Sequence, residues 1–189
     1  PREWVRVDGK PVVWEACQTF SGSWGYYRDE HDWRSVRQLL LTLIDCVSKG
    51  GNLLLNVGPT GRGEFDARAL DRLAGMGEWM KRHDRSIYGC TQAPKQFKTP
   101  QDCRLTYNPD TKRLYVHILA WPYKHLHLEG KAFGEQVEYA QLLNDASEVS
   151  MRMDQWHAKQ AGVSEQGLTL TLPQTEPNVE VPVVELFLK

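Results

Sequence analysis

A carboxylic acid and several aromatic rings lie close together near the start of the chain. Residues 14–19 read Trp-Glu-Ala-Cys-Gln-Thr, and residues 23–26 read Ser-Trp-Gly-Tyr. A glutamate beside tryptophan can serve as a general acid, because the exclusion of water raises the pKa of a carboxyl group. The nearness of Glu15 to Trp14 and Trp24 therefore makes this stretch the first candidate for chemistry.

Two strands and a helix must position these residues. A leucine-rich run at 53–57 lies between glycine-containing segments, as in parallel strands covered on both faces. Before it, apolar residues recur at helical spacing from residue 33 to residue 47, with Asp32 as the expected cap and Gly50-Gly51 as the expected stop. The order is strand, loop, helix, strand, loop, and the loops are where such a βα repeat usually carries function.

The rest of the chain changes from helical to strand patterns. A second helix is predicted over about 66–81, with an inner face at Ala69, Leu70, Leu73, Met76, Trp79 and Met80. Residues 104–107 and 113–121 flank a turn at 108–111 and predict a β-hairpin. Further strands are predicted at 126–128, 137–143, 149–153, 168–172 and 181–188.

These patterns predict α/β architecture followed by an all-β domain. Two βα units cannot close a sheet alone, so we expect residues 1–92 to be the last βα units of a (β/α)8 TIM-like barrel. We expect residues 93–189 to form a C-terminal antiparallel β-sandwich, after a polar connection near 91–100. Because the chain starts at Pro1 and its first methionine is Met76, we expect this start not to be the natural one.

Composition excludes several classes of function. With 189 residues, 41% of them hydrophobic, and a formal net charge of −1, the chain has no electrostatic field for a polyanion, so no nucleic acid partner is expected. No apolar run approaches the roughly 20 residues that span a bilayer, so no membrane partner is expected. The four cysteines are widely spaced and are expected to be buried thiols. The compartment, cytoplasmic or secreted and periplasmic in a bacterium, stays open.

The motifs at 14–17, 23–26 and 47–60, with 77–80 and 86–88 after them, closely resemble the α-L-fucosidases of glycoside hydrolase family 29. The resemblance covers roughly residues 12–90, and the β-rich remainder is compatible with the family's C-terminal domain. It implies a retaining exo-α-L-fucosidase that releases terminal α-L-fucose from fucosylated glycans or glycosides by double displacement. Such a mechanism needs two carboxyl groups about 5 Å apart.

The resemblance also implies which site residues are present. The family's nucleophile is an aspartate on an earlier barrel strand, outside this chain. Glu15 is the acid/base candidate from the family's Trp-Glu motif, and Glu3 is the weaker alternative, because in some members the acid lies upstream of that motif. An acid outside the chain and a structural carboxylate at Glu15 are the other readings. Trp24 matches the position that packs against the apolar face of fucose, and Trp14 is a second substrate-binding candidate.

Other polar and aromatic residues are read more simply. Asn52 and Asn56 are expected to satisfy backbone groups at the ends of their strand. His117, His125 and His127 would need a converging ligand to hold a metal, so neither a metal nor any other cofactor is expected. Trp121, Tyr123 and Trp156 are read as buried aromatics of the β domain, with a carbohydrate-binding surface as the alternative.

Two classes of function remain. In the first, the chain is the C-terminal portion of a fucosidase, with the N-terminal barrel portion of the same enzyme as a partner and a homo-oligomer as a possible assembly; the isolated chain is then expected to be inactive. In the second, it is a non-catalytic carbohydrate-binding or structural module. The loops at the ends of predicted barrel strands favour the enzyme.

Overall fold

The computed structural model describes residues 3–152 and 167–189. The elements of the first half are β1 (Arg6–Val7), β2 (Lys10–Pro11), β3 (Glu15–Thr19), α1 (Val36–Val47), β4 (Asn52–Asn56) and α2 (Ala67–His83), followed by a short 3-10 helix (Asp84–Ser86). Those of the second half are β5 (Thr91–Gln92), β6 (Cys103–Asn108), β7 (Arg113–Ile118), β8 (His125–Leu128), α3 (Lys131–Gln136), β9 (Val137–Leu142), β10 (Ser150–Arg152), β11 (Leu168–Thr171) and β12 (Val183–Leu188). Within these ranges, every helix is too short or too polar to cross a membrane.

The predicted parallel strand pair is present. β3 and β4 pair in parallel, with Glu15 opposite Asn52 and Thr19 opposite Asn56. β3 begins at Glu15, after β1 and β2, which form a separate antiparallel pair around Asp8-Gly9. The two strands and the helix between them therefore form the βα repeat that the sequence indicates.

Helix α1 is fixed at its start by a capping box. The hydroxyl of Ser35 accepts a hydrogen bond from the backbone N–H of Gln38, and the Gln38 side chain accepts one from the backbone of Ser35. The prediction that Asp32 caps this helix was wrong, because Asp32 lies three residues before Ser35, which makes this reciprocal arrangement. The helix then buries Leu39, Leu40 and Ile44 completely, each contributing about 1.5–3 kcal/mol by burial.

Helix α2 begins where the sequence predicts but buries a narrower face. Asp66 caps it by accepting from the backbone N–H of Arg68. Ala69 and Trp79 are buried, whereas Leu70 and Leu73 are 51% and 36% exposed, so those two were wrongly placed on the inner face. The helical spacing is compatible with burial of all these residues, but only the set that packs against α1 is buried.

The second half consists of two antiparallel sheets. One has the strand order β5-β6-β7-β12-β9 and the other the order β10-β11-β8. The predicted hairpin is confirmed, since Cys103 pairs with Ile118 and Asn108 with Arg113. β12 occupies the interior of the larger sheet, pairing with β7 on one side and β9 on the other.

The larger sheet has a buried cluster on each face. One cluster joins it to the three-stranded sheet and α3, and contains residues such as Leu105, Val116, Phe133 and Leu170. The other joins it to α1 and α2, through residues that include Leu40, Ile44, Trp79, Tyr115 and Val183. The larger sheet therefore packs against α1 and α2 on one face and against the smaller sheet on the other.

None of the sheets formed by residues 3–152 and 167–189 closes into a barrel. β3 and β4 remain a two-stranded sheet with one face covered by α1. Thr91–Gln92, at the end of the first predicted domain, pairs with β6 in the five-stranded sheet. The division of the chain at residue 92 stays a prediction.

Candidate active site

The C-terminal ends of β3 and β4 carry a loop with three exposed aromatic rings. The loop follows Thr19 and returns to α1 at Ser35. Trp24, Tyr26 and Tyr27 are 63%, 40% and 55% exposed. In parallel α/β sheets this end of the strands is where ligands bind. The position of Trp24 therefore agrees with a ring that is available to a ligand.

The backbone around Trp24 is held by the end of β4. The side-chain amide of Asn56 donates a hydrogen bond to the Trp24 carbonyl oxygen over 2.6 Å. A Cβ atom on Gly58 would come within 2.4 Å of the backbone nitrogen of Tyr26, so only glycine permits this approach of the two loops. Asn56 thus satisfies a backbone group, as predicted, and that group belongs to Trp24.

A buried carboxylate lies inside the same loop. Glu30 is 8% exposed, and both of its carboxylate oxygens are bonded: Oε1 accepts from the backbone N–H of Asp32 over 2.9 Å, and Oε2 accepts from the Ser23 hydroxyl over 2.8 Å. The Asp32 N–H, and then the Ser23 hydroxyl, lower the pKa of Glu30 below its usual value. The side chain is therefore ionised at neutral pH.

Helix α2 anchors this loop through two arginines, of which Arg72 donates to the Arg34 carbonyl oxygen over 2.8 Å. The guanidinium of Arg68 donates to the carbonyl oxygens of Glu30, over 2.8 Å, and Arg28, over 3.1 Å. The same guanidinium pairs with Asp66 at 2.8 Å and lies 4.7 Å from the ring centroid of Trp33. Asp66, whose pKa falls to about 2 mainly through its hydrogen bond with the Arg68 side chain, stays charged at all ordinary pH values.

Glu15 and Trp14 lie at the other end of β3. Glu15 is the first residue of the strand, and about 13 Å of strand separates it from Thr19 at a rise of roughly 3.3 Å per residue. Its side chain is exposed, on the face that points away from α1. Trp14 donates from its indole to the Lys49 carbonyl over 3.1 Å, and its ring lies against Gly51. The structure therefore does not bring Glu15 or Trp14 together with Trp24.

Glu3, the weaker acid candidate, is also remote from Trp24. It is exposed and lines a groove with Trp4, Lys49, Gln92 and Lys95. This groove lies at the N-terminal end of the strand pair, near Trp14 and the helix end at Ser48. A larger cleft, of about 690 Å³, lies between α2 and residues 176–180 and contains none of the predicted site residues.

The histidines do not form one cluster. His117 is buried in the five-stranded sheet, with Nε2 at 2.9 Å from the Thr106 hydroxyl. His127 belongs to the three-stranded sheet, where its Nδ1 lies 2.9 Å from the Thr169 hydroxyl. The ring of His125 lies 6.4 Å from that of His127 in the same sheet, to which His117 does not belong.

The expectations for the aromatic residues of the β domain and for the cysteines are confirmed only in part. Tyr123 is 76% exposed, so its reading as a buried aromatic was wrong, whereas the half-buried Trp121 packs against the sheet cluster. Trp156 lies outside the described residues. Cys46 and Cys103 are buried as expected, but Cys17 is exposed on the outward face of β3.

Sequence reasoning missed Glu30 and Arg68. Both are charged residues within polar segments, and the periodicity used to find helices and strands carries no information on such loops. Glu30 follows Ser23 by seven residues, a spacing that indicates no helix, strand or turn contact. Arg68 bonds a residue 38 positions earlier in the chain. Only the helix start at Asp66 could have drawn attention to Arg68 two residues later.

Known proteins with similar sequences and structures are α-L-fucosidases. The α-L-fucosidase family model matches residues 3–85. α-L-Fucosidase isoenzyme 1 from Paenibacillus thiaminolyticus is 36% identical and superposes with a TM-score of 0.88, over 100% of this chain and 43% of that chain. Plasma α-L-fucosidase of Rattus norvegicus is 36% identical over 127 residues, which are 65% of this chain and 27% of that protein.

A third similar protein was solved with a ligand. The Thermotoga maritima α-fucosidase, in complex with a mechanism-based inhibitor, is 29% identical with a TM-score of 0.73, over 92% of this chain and 39% of that chain. In all three comparisons the chain spans less than half the length of the relative.

Proposed function

The chain belongs to the α-L-fucosidase family and corresponds to a C-terminal part of its members, and we propose that it is the C-terminal portion of a retaining exo-α-L-fucosidase. The complete enzyme hydrolyses terminal α-L-fucose from fucosylated glycans or glycosides by double displacement. The nucleophilic aspartate belongs to the N-terminal barrel portion, which is the partner of this chain. The mechanism-based inhibitor of the Thermotoga maritima enzyme supports a covalent route in the family.

One observation carries the proposal: Trp24 presents an exposed ring at the ligand-binding end of a parallel strand pair, on a backbone that is held in place. Fucose is a deoxy sugar with an apolar face that includes its methyl group, and aromatic rings stack on such faces. The ring is 63% exposed while its carbonyl oxygen is bonded to Asn56. A binding surface of this kind needs a fixed backbone and a free ring.

The proposed architecture is the end of a (β/α)8 barrel followed by a β-sandwich, divided near residue 92. Support for the barrel comes from the outward face of β3 and β4, where Leu54 is 51% exposed and Cys17 is also exposed. An apolar side chain on a two-stranded parallel sheet is the surface that further strands would cover. Support for the sandwich comes from the buried cluster between the two antiparallel sheets.

The geometry bears on which residue acts as the acid/base. A general acid must come within hydrogen-bond reach of the glycosidic oxygen, directly or through one water. Glu15 lies about 13 Å along β3 from the end that carries the Trp24 loop. This separation argues against Glu15 as the acid, and the position of Glu3, which is also remote from Trp24, argues equally against Glu3. Both remain candidates that substitution can test, beside an acid from the N-terminal portion.

The test uses the enzyme that contains this chain and its N-terminal portion. Release of fucose from an aryl α-L-fucoside is measured, and NMR of the first product gives its anomeric configuration. Retention of configuration is expected, with kcat/KM lowered at least about tenfold by Trp24→Ala through loss of stacking and burial. Fucose binding without turnover, or inversion, would contradict the proposal.

The same assay ranks the acid candidates. Glu15→Gln and Glu3→Gln are compared on natural fucosides, whose poor leaving groups depend most on protonation. A loss of about a hundredfold or more in kcat for one variant identifies the acid, since general acid catalysis contributes roughly that much. Unchanged turnover for both assigns the acid to the N-terminal portion.

A carbohydrate-binding module without catalysis is the second candidate function. Tyr123 is 76% exposed in the connection between β7 and β8, where Gln174 donates to its hydroxyl over 3.3 Å and Trp121 lies close in sequence. Glycan binding that is lost in Tyr123→Ala, in a complete protein that does not release fucose, would favour this function.

A further inference from the structure

Glu30 joins the loop that carries Trp24 to the helix behind it. From α2, Arg68 donates to the carbonyl oxygen of Glu30 over 2.8 Å. From Glu30, the carboxylate reaches Ser23, the residue directly before Trp24, over 2.8 Å. Arg68 therefore holds the backbone of Glu30 to α2, and the Glu30 side chain holds the hydroxyl of the residue that precedes the exposed ring.

The exposure of Trp24 makes these backbone contacts decisive. A ring that is 63% exposed is not fixed by the packing of its own side chain. Its position depends on the backbone at residues 23–25, which the structure holds from two sides. Asn56 bonds the Trp24 carbonyl on one side, and Glu30 bonds the Ser23 hydroxyl on the other.

The Glu30 carboxylate also closes the loop on itself. Its Oε1 accepts from the backbone N–H of Asp32, and the Gly22 N–H donates to the Asp32 carbonyl over 3.1 Å. An isolated bridge joins Ser21 to Trp33 across the same neck. The two limbs of the loop are thus bonded by backbone contacts at the neck and, between Ser23 and Glu30, by a side chain that is 8% exposed.

Resting on the proposed function, we propose that Glu30 is a positioning residue for Trp24: its buried carboxylate fixes the loop so that the Trp24 ring meets the apolar face of the fucosyl group. Glu30 does not touch the sugar and acts through Ser23. The charged form suits this arrangement, because an ionised carboxylate accepts through both oxygens and its bonds to the two donors are stronger than those of a neutral acid. The N–H of Asp32 and the hydroxyl of Ser23 hold that form by lowering its pKa.

A double-mutant cycle in the complete enzyme tests the role. In Glu30→Gln the side chain can no longer accept at both positions: the Ser23 hydroxyl must turn to accept from the amide NH₂ group, and both charge-assisted bonds become weaker neutral ones. We expect kcat/KM for an aryl α-L-fucoside to fall about tenfold in this variant. In the Trp24→Ala background the same substitution is expected to lower kcat/KM less than about twofold, because residues that act through one another are not additive.

Two further variants keep the test interpretable. Glu64→Gln removes the same charge from an exposed side chain on the neighbouring loop and is expected to leave kcat/KM unchanged. Ser23→Ala removes only the hydroxyl donor and is expected to act in the same direction as Glu30→Gln, with Ser23→Thr restoring the parent value. An equal fall for Glu30→Gln in both Trp24 backgrounds, or no fall at all, would overturn the proposal.

A measurement without catalysis separates this proposal from the proposed function. The enzyme is labelled with 5-fluorotryptophan, and the fluorine resonance of Trp24 is assigned by its absence in Trp24→Phe. Glu30→Gln and Ser23→Ala are expected to shift or broaden this resonance, and Glu64→Gln is expected not to. If the parent enzyme releases no fucose while the resonance responds, the proposed function fails and the positioning role of Glu30 stands. A resonance that does not respond overturns that role.

Discussion

Mild acid is predicted to destabilise this fold through one buried histidine. His117 is fully buried in β7, between the five-stranded sheet and α2, with its ring 6.4 Å from that of Trp79. Thr106 donates its hydroxyl hydrogen to the Ser86 carbonyl over 2.7 Å. The 2.9 Å contact between Thr106 and the Nε2 atom of His117 must therefore use a hydrogen on Nε2.

This arrangement leaves His117 neutral. Its Nδ1 atom is buried and has no hydrogen-bond partner among residues 3–152 and 167–189. A proton placed there would be a charged donor without an acceptor, close to a second buried histidine, His83. Burial first, and then repulsion by His83, lower the pKa of His117 to about 3.

The sign and size of the pH effect follow from that value. The unfolded chain, with an ordinary histidine pKa of roughly 6.5, binds the proton more readily than the folded chain between about pH 6.5 and pH 3. The contribution of His117 to stability is therefore complete above about pH 6.5 and falls with pH. The loss is about 2 kcal/mol at pH 5 and about 5 kcal/mol below pH 3. Burial lowers the pKa of His83 as well, which adds to the loss in the same direction.

Urea unfolding followed by far-UV circular dichroism measures this loss. The free energy of unfolding of the parent chain is expected to fall between about pH 7.5 and pH 5 by about 2 kcal/mol more than that of His117→Gln, whose amide can still donate to Thr106. His31→Gln, which changes an exposed histidine, serves as the control and should follow the parent. Parallel pH profiles for the parent and His117→Gln would refute the reasoning.

Two further predictions concern the helices and use the same unfolding measurement. Gly75→Ala should destabilise the chain by about 1–3 kcal/mol, because the new Cβ atom would lie 2.6 Å from the Val36 side chain. Gly77→Ala should stabilise it by about 0.5–1 kcal/mol, because a Cβ atom there would have no atom within 4 Å and alanine favours the helix. Equal effects would refute close packing of α1 on α2. Ser35→Ala should cost about 1 kcal/mol by removing the cap that bonds Gln38, and no change would refute the capping box.

Local patterns in the sequence predicted much of the fold. The run at 53–57, the helix at 66–81 and the hairpin around 108–111 each carry their own signal, and the observed elements lie within a few residues of the predictions. Hydrophobic periodicity and turn chemistry are properties of short segments, so the sequence displays them directly. The order of strands in the sheets is different. β12 pairs with β7 across about 70 residues, and β8 pairs with β11 across about 40, and no local pattern encodes such partners.

The site was predicted only in part, for the same reason. Trp24 was a candidate because the Ser-Trp-Gly-Tyr run at 23–26 resembles a family motif. Glu30 could not be found, since a carboxylate in a polar loop looks solvated until the fold surrounds it. Glu15 looked close to Trp24 because nine residues separate them. Glu15 begins β3 and the Trp24 loop follows the last residue of β3, so the length of the strand lies between them. Residues that are close in sequence can therefore lie at opposite ends of a sheet.

The parallel register decides where the remaining chemistry must come from. Glu15 opposite Asn52 marks one end of the strand pair, and Thr19 opposite Asn56 marks the other, where the Trp24 loop begins. A nucleophile and an acid that act on a sugar stacked on Trp24 must lie at the second end, on strands that end at the same edge. Within residues 3–152 and 167–189, the buried carboxylate at that edge is Glu30, and both of its oxygens are already bonded. We therefore expect Trp24→Ala to impair fucose release while Glu15→Gln leaves it intact. The opposite pattern would place the reacting sugar at the Glu15 end and overturn the site described above.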